Sequence, residues 1–243
     1  METKQVKNFY NTALTKSDDL YENDRWFKSD QSKSAFFSTL SAVKKYALPH
    51  IQNGMEVFEL GPGPGTWTKV LLEKAPEARY NLVDISDEML KQAKMALDGN
   101  DNIGYTTSDI LDFQSEKKYD FFFSSRMMEY VPKEDKAKAV ATICEAMSSG
   151  AYGYIVTKTP QYARLFSKKV QAPIHSQQIS SSELIKLFKE NNCVVTDRVH
   201  VTCVFPKLRS GALDTILTKV VRFIPFKIGS YVSESYAVVF KKL

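Results

Sequence analysis

The sequence predicts an α/β protein built on a doubly wound, mostly parallel sheet. Strand-like apolar runs alternate with helical patterns along the chain, which is typical of βαβ units. A glycine-rich loop also separates the first strand from the helix after it. With 243 residues, 43% hydrophobic and 25% charged, the composition is that of an ordinary globular domain. We therefore expect a core over residues 53–243, preceded by an N-terminal helical lid over residues 1–52.

The N-terminal segment is predicted to be helical. Val6–Leu14 forms a short helix, and Gln31–Leu48 forms a longer one with apolar residues on one face at helical spacing. Those residues are Phe36, Phe37, Leu40 and Val43.

The first βαβ unit begins after Asn53-Gly54. Met55–Leu60 reads as a buried strand, Thr66–Ala75 as the helix that follows, and Tyr80–Val83 as the second strand. Ser86 is a helix cap, and the acidic residues after it favour the first turn of a helix that ends near Leu97.

Four elements complete the parallel part of the predicted sheet. Tyr105–Ser108 and Tyr119–Ser124 are strands, and the second of them contains three consecutive phenylalanines. Lys133–Met147 is a helix stopped at Ser148-Ser149-Gly150, and Ala151–Thr157 is the next strand.

The last third of the chain combines secondary structure with two insertions. A helix is predicted over Ser182–Glu190 and strands over Val194–Val204 and Tyr236–Phe240, the last strand being antiparallel. Insertions on the substrate side are expected at about 160–180 and 206–232.

The glycine loop Gly61-Pro62-Gly63-Pro64-Gly65 predicts a ligand site. Glycines let the backbone approach a ligand closely, and the helix N-terminus behind them faces anionic groups. A dinucleotide fingerprint would need glycine at position 66, where Thr66 stands, and no nucleoside-triphosphatase loop is present.

Acidic residues follow the next two strands. Asp84 ends the second strand, where a carboxylate accepts both hydroxyls of a ribose. Asp109 ends the third, where it can accept from an adenine amino group while Ile110 covers the ring. The alternative for each aspartate is a turn or cap residue.

Together these motifs resemble those of class I S-adenosylmethionine-dependent methyltransferases. The resemblance covers roughly Glu56 to Thr159. It rests on Glu59-Leu60-Gly61-Pro62-Gly63-Pro64-Gly65, Leu82-Val83-Asp84-Ile85-Ser86-Asp87-Glu88-Met89-Leu90, Ser108-Asp109-Ile110, Tyr119-Asp120-Phe121-Phe122-Phe123-Ser124-Ser125 and Met128-Glu129-Tyr130-Val131-Pro132.

The resemblance implies S-adenosyl-L-methionine as cofactor and a Rossmann-like methyltransferase sheet. The glycine loop would hold the methionine end, Asp84 the ribose, Asp109 and Ile110 the adenine, and Ser124 or Ser125 would lie near the sulfonium. The cofactor-binding residues are then Glu59, Gly61, Gly63, Gly65, Asp84, Ile85, Met89, Asp109, Ile110, Ser124 and Ser125. No metal site is predicted.

Three residues are candidates for a general base. His175 lies in the polar loop after the fifth strand, and a solvated side chain is its alternative interpretation. Glu129 and Tyr130 follow the fourth strand, where Glu129 could equally be a structural hydrogen-bonding group. Arg126 could pair with an anionic cofactor or substrate group, or form an ordinary salt bridge.

Two segments could form the acceptor pocket. One is the aromatic N-terminal stretch Tyr10, Tyr21, Arg25, Trp26 and Phe27, which could instead simply pack on the core. The other is 207–227, whose apolar stripe is flanked by basic residues. Such a stripe more often packs on its own domain, but it could also make a peripheral contact with an anionic membrane. The stripe comprises Leu213, Ile216, Leu217, Val220, Val221 and Ile224.

Charge and cysteine content narrow the function. The net charge is +5, and residues 207–243 account for all of it, so a nucleic-acid partner is not expected. Cys144, Cys193 and Cys203 suggest buried thiols rather than disulfides or zinc ligands. No secretory signal or membrane span is read in the sequence, so a cytoplasmic location is expected.

The predicted function is methyl transfer to a hydroxyl, or else an amine, of a small-molecule or lipid-linked acceptor. The alternatives are an RNA or protein methyltransferase, a catalytically silent cofactor-binding scaffold subunit, and a nucleotide-dependent oxidoreductase. The sequence leaves the oligomeric state open.

Overall fold

A computed structural model describes residues 3–15, 23–166, 177–204 and 210–243. Its seven strands form one sheet in the order β3-β2-β1-β4-β5-β7-β6. Strands β1 to β5 are parallel, and β7 is inserted antiparallel between β5 and β6. The predicted fold class and the antiparallel last strand are confirmed. The strands are β1 Glu56–Leu60, β2 Arg79–Asp84, β3 Ile103–Thr107, β4 Tyr119–Ser125, β5 Met147–Lys158, β6 Cys193–Cys203 and β7 Ser233–Lys242.

The helices surround this sheet. A short π-helix spans Asn23–Phe27, and 3-10 turns cover Leu48–His50, Met128–Tyr130 and Lys133–Asp135. The α-helices are α1 Thr3–Thr15, α2 Asp30–Tyr46, α3 Thr66–Lys74, α4 Asp87–Ala96, α5 Lys136–Ala146, α6 Pro160–Phe166, α7 Ser181–Glu190, α8 Gly211–Val221 and α9 Phe226–Gly229.

Both faces of the sheet are buried, which explains the three consecutive phenylalanines of β4. Phe121 and Phe123 join the core beneath α2, α3 and α4, whereas Phe122 joins the core beneath α5 and α7. All three are fully buried. A strand covered on both faces needs apolar residues at every position, because successive side chains point to opposite sides.

The boundary between α5 and β5 differs from the prediction. The predicted helix Lys133–Met147 begins as a 3-10 turn and ends at Ala146, and Ser148-Ser149-Gly150 lies within β5 rather than in a stop. Met147 pairs with Tyr119, and the register of β4 against β5 shifts before Phe121. Ser148-Ser149-Gly150 therefore belongs to an irregular part of β5, next to the point where its register against β4 shifts.

The two predicted insertions contain helices. The segment at 160–180 holds α6, and the segment at 206–232 holds α8 and α9. Helix α8 packs against α2 through its polar side, where Ser34 Oγ lies 2.9 Å from Thr215 Oγ1. The expectation that the apolar stripe covers the domain holds for Val221, which is buried, but not for Ile216 and Val220, which are exposed.

The three cysteines are buried and free, as predicted. Cys144 Sγ lies 3.5 Å from Cys193 Sγ. Across the described ranges, the helices are too short or too polar to cross a membrane.

Candidate functional site

The glycine loop follows β1 in a conformation that glycine favours. Gly61, Gly63 and Gly65 all have positive φ angles, of 71°, 57° and 88°. A Cβ atom on Gly61 would lie 2.8 Å from Met127 Cβ, and one on Gly65 would lie 3.0 Å from a Leu97 methyl group. A Cβ on Gly63 would meet nothing within 4 Å. The loop is therefore held between two neighbours while its middle faces open space.

Asp84 stands at the end of β2 with its carboxylate held by the backbone. Its Oδ1 accepts from the Ser86 amide at 2.9 Å, and its Oδ2 accepts from the Gly63 amide at 3.3 Å. Burial raises the pKa of Asp84 to about 6, although these backbone hydrogen bonds oppose the shift. Ser86 caps α4 as predicted, accepting from the Met89 amide.

Asp109 and Ile110 follow β3 on the same edge of the sheet. Asp109 Oδ1 accepts from the Leu111 amide at 3.0 Å, which fixes the carboxylate in a tight turn. Ile110 is buried, with 4% of its surface exposed. Both lie beside Asp84 because β3 pairs with β2 up to Thr107.

The end of β4 supplies the two serines. Ser124 Oγ donates to the Leu60 carbonyl at 2.8 Å, so this side chain ties β4 to β1. Ser125 Oγ is buried and has no hydrogen-bond partner among the described residues. An unpaired buried hydroxyl of this kind is free to bond a ligand.

These residues meet around one cavity. It lies at the carboxyl ends of β1 to β4, where the strand order reverses between β1 and β4 and where open α/β sheets bind ligands. The predicted cofactor residues that line it are Gly61, Gly63, Asp84, Ile85, Met89, Asp109, Ile110 and Ser125. Acidic acceptors, an apolar wall and an unpaired hydroxyl are the groups that an adenosyl cofactor with a ribose would need.

Three predicted cofactor residues lie behind the cavity wall. Ser124 bonds the backbone, as described above, and Gly65 is the N-cap of α3. Glu59 is buried, accepts from Thr68 Oγ1 at 2.8 Å, and has its pKa raised by burial to about 8. Their contacts support the loop and the first helix.

The N-terminal helix covers the Asp84 corner of the cavity. Val6 and Tyr10 of α1 line the cavity. Lys7 Nζ lies 3.0 Å from Asp87 Oδ1, and Asn11 Oδ1 accepts from Ser86 Oγ at 2.6 Å. This placement agrees with a lid, and movement of the segment stays a prediction.

The aromatic stretch before α2 both packs on the core and lines the cavity. Trp26 is buried and contacts Trp67 with ring centroids 5.8 Å apart. Phe27 packs on Phe36 and is 41% exposed. Tyr21 lies outside the described residues.

A second cavity opens beside the first. Four residues line both: Arg25, Trp26, Arg126 and Tyr130. Lys158 and Glu234 line only the second. Neither residue is predicted from the sequence, and neither is Met127 on the wall of the first cavity, because nothing in their local sequence pattern marks them.

The three candidate bases are placed differently. Tyr130 lines both cavities. Glu129 is fully buried outside the cavity walls, with its Oε1 atom 3.8 Å from Lys158 Nζ. His175 lies outside the described residues.

Comparison with known proteins identifies the domain around this cavity. A family profile described as a methyltransferase domain matches residues 57–150. The chain is 32% identical over 84 residues to malonyl-(acyl-carrier protein) O-methyltransferase 2 of Ilyobacter polytropus, covering 33% of this chain and 32% of that protein. It is 30% identical over 107 residues to trans-aconitate 2-methyltransferase of Azoarcus sp., covering 44% and 41% of the two chains.

Solved structures share the fold over nearly the whole chain. A putative methyltransferase chain from a complex with the Haloferax volcanii Trm112 activator has a TM-score of 0.67 at 17% identity, with 96% of both chains covered. Magnesium protoporphyrin IX methyltransferase of Synechocystis, solved with bound S-adenosyl-L-homocysteine, has a TM-score of 0.63 at 12% identity over the full length of both chains. At these identities the likeness establishes the fold.

The matched segments span 32% and 41% of the length of these two curated relatives. Together, the family profile and the structural neighbours confirm the predicted resemblance to class I S-adenosylmethionine-dependent methyltransferases and their sheet.

Proposed function

We propose that this chain, in which residues 57–150 form a methyltransferase domain, transfers a methyl group from S-adenosyl-L-methionine to an oxygen of a small-molecule acceptor. The observation that carries the proposal is the pair of adjoining cavities. The first cavity is lined by the predicted cofactor residues, and the second shares Trp26, Arg126 and Tyr130 with it. A two-substrate reaction needs such a junction, because donor and acceptor must meet in line.

In this proposal the cofactor residues keep the roles that the resemblance implies. Asp84 accepts from the ribose hydroxyls, Asp109 and Ile110 hold the adenine, and Ser125 lies near the sulfur. Gly61 and Gly63 leave room for the methionine end. When bound, the cofactor supplies an electrophilic methyl group on a good leaving group.

The chain's own residues at the junction would position the acceptor and exclude water. Trp26 closes one side, and its ring also contacts Arg126, whose Cζ atom lies 5.9 Å from the ring centroid. The Tyr130 hydroxyl is our first choice for holding or removing the acceptor proton, because Tyr130 lines both cavities. Glu129 and His175 stay predictions.

An oxygen acceptor is favoured over an amine by the O-methyltransferase among the relatives. RNA or protein methylation is the second enzymatic candidate, and the balanced charge of residues 1–206 weighs against it. A companion subunit is a further candidate, since one structural neighbour was solved in a complex with an activator. A cytoplasmic location remains an expectation from the sequence.

The test begins with calorimetric titration of S-adenosyl-L-homocysteine and NADH into the purified protein. Binding of the first alone, followed by transfer of labelled methyl to a panel of alcohols, acids and amines, is expected. Binding without turnover of any acceptor would favour a silent scaffold or a missing subunit. Binding of neither ligand would contradict the cofactor site itself.

We also propose that the acceptor is delivered at an anionic membrane surface by helices α8 and α9. Ile216 and Val220 lie four residues apart on one face of α8, and Phe223 lies in the turn that follows this helix. The exposed fractions of these three residues are 57%, 49% and 89%. Two exposed lysines lie nearby, Lys219 in α8 and Lys227 in α9. Apolar residues flanked by cations are the pattern of an interfacial helix.

Co-sedimentation with vesicles tests the membrane contact. The protein should pellet with vesicles that contain acidic lipid and stay in solution with neutral ones. Phe223→Ser should reduce the pelleted fraction several-fold, while Met95→Ser, which alters a 79% exposed residue on α4, serves as the matched control. Equal behaviour of the two variants would refute the proposed contact.

A further inference from the structure

Arg126 combines three unusual features at the junction of the two cavities. It is only 7% exposed, and it lines both cavities. Its backbone φ is 62°, a left-handed conformation that non-glycine residues rarely adopt. Strain of this kind persists where the surrounding structure enforces it, and it is concentrated at functional sites.

The chain holds the Arg126 backbone firmly in that conformation. Its amide donates to the Val156 carbonyl at 2.8 Å, which joins the end of β4 to β5. The next residue, Met127, packs directly on Gly61 of the glycine loop. These contacts fix the Arg126 backbone at the wall that the two cavities share.

Only one of the three guanidinium nitrogens of Arg126 donates a hydrogen bond within the described residues. Its Nη1 atom donates to Glu234 Oε1 at 3.4 Å. The Nε and Nη2 atoms are buried and have no hydrogen-bond partner within the described ranges. A buried donor without a partner costs about 1–3 kcal/mol, so leaving two of them unpaired calls for a ligand.

The two unused donors form one edge of the guanidinium. The Nε–H and Nη2–H bonds point the same way and match the two oxygens of a carboxylate, which is why arginine binds carboxylates in a bidentate manner. Although burial alone would raise it, the pKa of Glu234 is held below its usual range by Arg126 and Lys158. Glu234 therefore stays ionised on Nη1 and keeps the guanidinium oriented.

We propose that the acceptor carries a carboxylate which docks on the Nε/Nη2 edge of Arg126. The inference rests on the proposed methyl transfer and names the chemical class of its acceptor. A carboxylate held in this way is stabilised as an anion, which makes it a poor nucleophile. It therefore anchors the acceptor, while the methylated oxygen stands elsewhere on the molecule.

The local charge favours an anion. Arg25, Arg126 and Lys158 line the second cavity, and Glu234 is its one acidic lining residue in the part of the chain that the structure describes. A carboxylate adds one negative charge, whereas a phosphate monoester adds nearly two. Phosphate is therefore the competing oxyanion that the test must include.

The experiment measures binding of succinate, its uncharged diamide and inorganic phosphate to the full chain saturated with S-adenosyl-L-homocysteine. We expect succinate to bind and the diamide not to bind. Arg126→Lys keeps the charge but loses the bidentate edge, so succinate affinity should fall at least tenfold. The affinity of this variant for S-adenosyl-L-homocysteine, the cofactor product, should stay within twofold of that of the unmodified protein.

A second variant guards against misfolding. Arg126→Gly deletes the side chain at a φ angle that glycine adopts freely, and it should abolish succinate binding in a folded protein. Asn192→Gly is the matched control, because Asn192 is exposed, has a φ of 56° and lines neither of the two cavities.

The outcomes separate this inference from the proposed function. Cofactor-product binding without succinate binding would overturn the carboxylate anchor and leave methyl transfer standing. Tighter binding of phosphate than of succinate would overturn the carboxylate as well. Loss of cofactor-product affinity in Arg126→Lys, with succinate unaffected, would assign Arg126 to the cofactor instead. No binding of the cofactor product to the unmodified protein would contradict the proposed function itself.

Discussion

Replacing Asp84 with asparagine is the sharpest test of the cofactor site. The carboxylate lies at the end of β2 and lines the first cavity, with one backbone amide on each oxygen. A hydrogen bond to a charged group contributes about 1.5–3 kcal/mol. Losing that charge should weaken S-adenosyl-L-homocysteine binding roughly 10- to 150-fold, at about 1.4 kcal/mol per factor of ten.

The affinity for the ligand should also depend on pH, because Asp84 must be ionised to accept hydrogen bonds at both carboxylate oxygens. Burial raises the pKa of Asp84 to about 6 in the free protein. Ligand hydroxyls favour the ionised form, so affinity should be constant well above pH 6 and fall as the carboxylate takes up a proton below it. Between pH 7.5 and pH 5 the loss should be about tenfold, because a group one pH unit below its pKa is roughly one-tenth ionised.

Isothermal titration calorimetry from pH 5 to pH 7.5 measures both effects. Asp84→Asn should bind weakly and with little pH dependence. Asp98→Asn, which removes an exposed carboxylate just after α4, should behave like the unmodified protein. A pH profile that is equally steep in the protein and in Asp84→Asn would refute the assignment of this carboxylate to the ligand.

Three further predictions follow from buried groups. Glu59 has a folded pKa of about 8, which is above its unfolded value, so its contribution to stability is present at low pH and is lost as the pH rises toward 8. Glu59→Gln should therefore flatten the pH dependence of the urea midpoint between about pH 5.5 and pH 8. An unchanged slope would contradict the burial argument. Gly153→Ala would place a methyl group inside the Phe240 ring, so the free energy of unfolding should drop by about 1–3 kcal/mol. Gly104→Ala, whose added methyl group would have no contact closer than 3.7 Å, should lower the free energy of unfolding much less. Equal losses in the two variants would count against the overlap. Tyr130→Phe should lower kcat about 100-fold or more if the hydroxyl is the base, with cofactor affinity unchanged, and a loss under fivefold would exclude that role.

The fold was predictable from local patterns because each pattern has a local cause. Alternating strands and helices predicted the parallel sheet, and Ser86 caps α4 as its residue type suggests. The glycine loop, Asp84 and Asp109 were predicted as neighbours since parallel strands end at one edge, and the cavity does bring them together. At the α5–β5 boundary the helix ends one residue before the predicted end, and β5 begins four residues earlier than predicted, because Met147 pairs with Tyr119 of β4.

The second cavity could not be predicted in the same way. Glu234 and Lys158 come from β7 and β5, and Arg126 from the end of β4, so they meet only through the antiparallel insertion of β7 beside β5. The sequence also did not show which side of α8 would be buried against the domain. Helix α2 presents hydroxyl groups such as Ser34 to it, and the polar side of α8 therefore faces inward.

The sequence by itself determined the kind of sheet, the sheet edge at which the cavities open and the glycine loop beside the first of them, because these depend on spacing within single βαβ units. The tertiary structure alone decided which charges line the second cavity. It also decided that Arg126 keeps two donors unpaired there. Contacts between residues more than a hundred positions apart, such as Arg126 and Glu234, arise from chain topology and packing, and no local pattern records them.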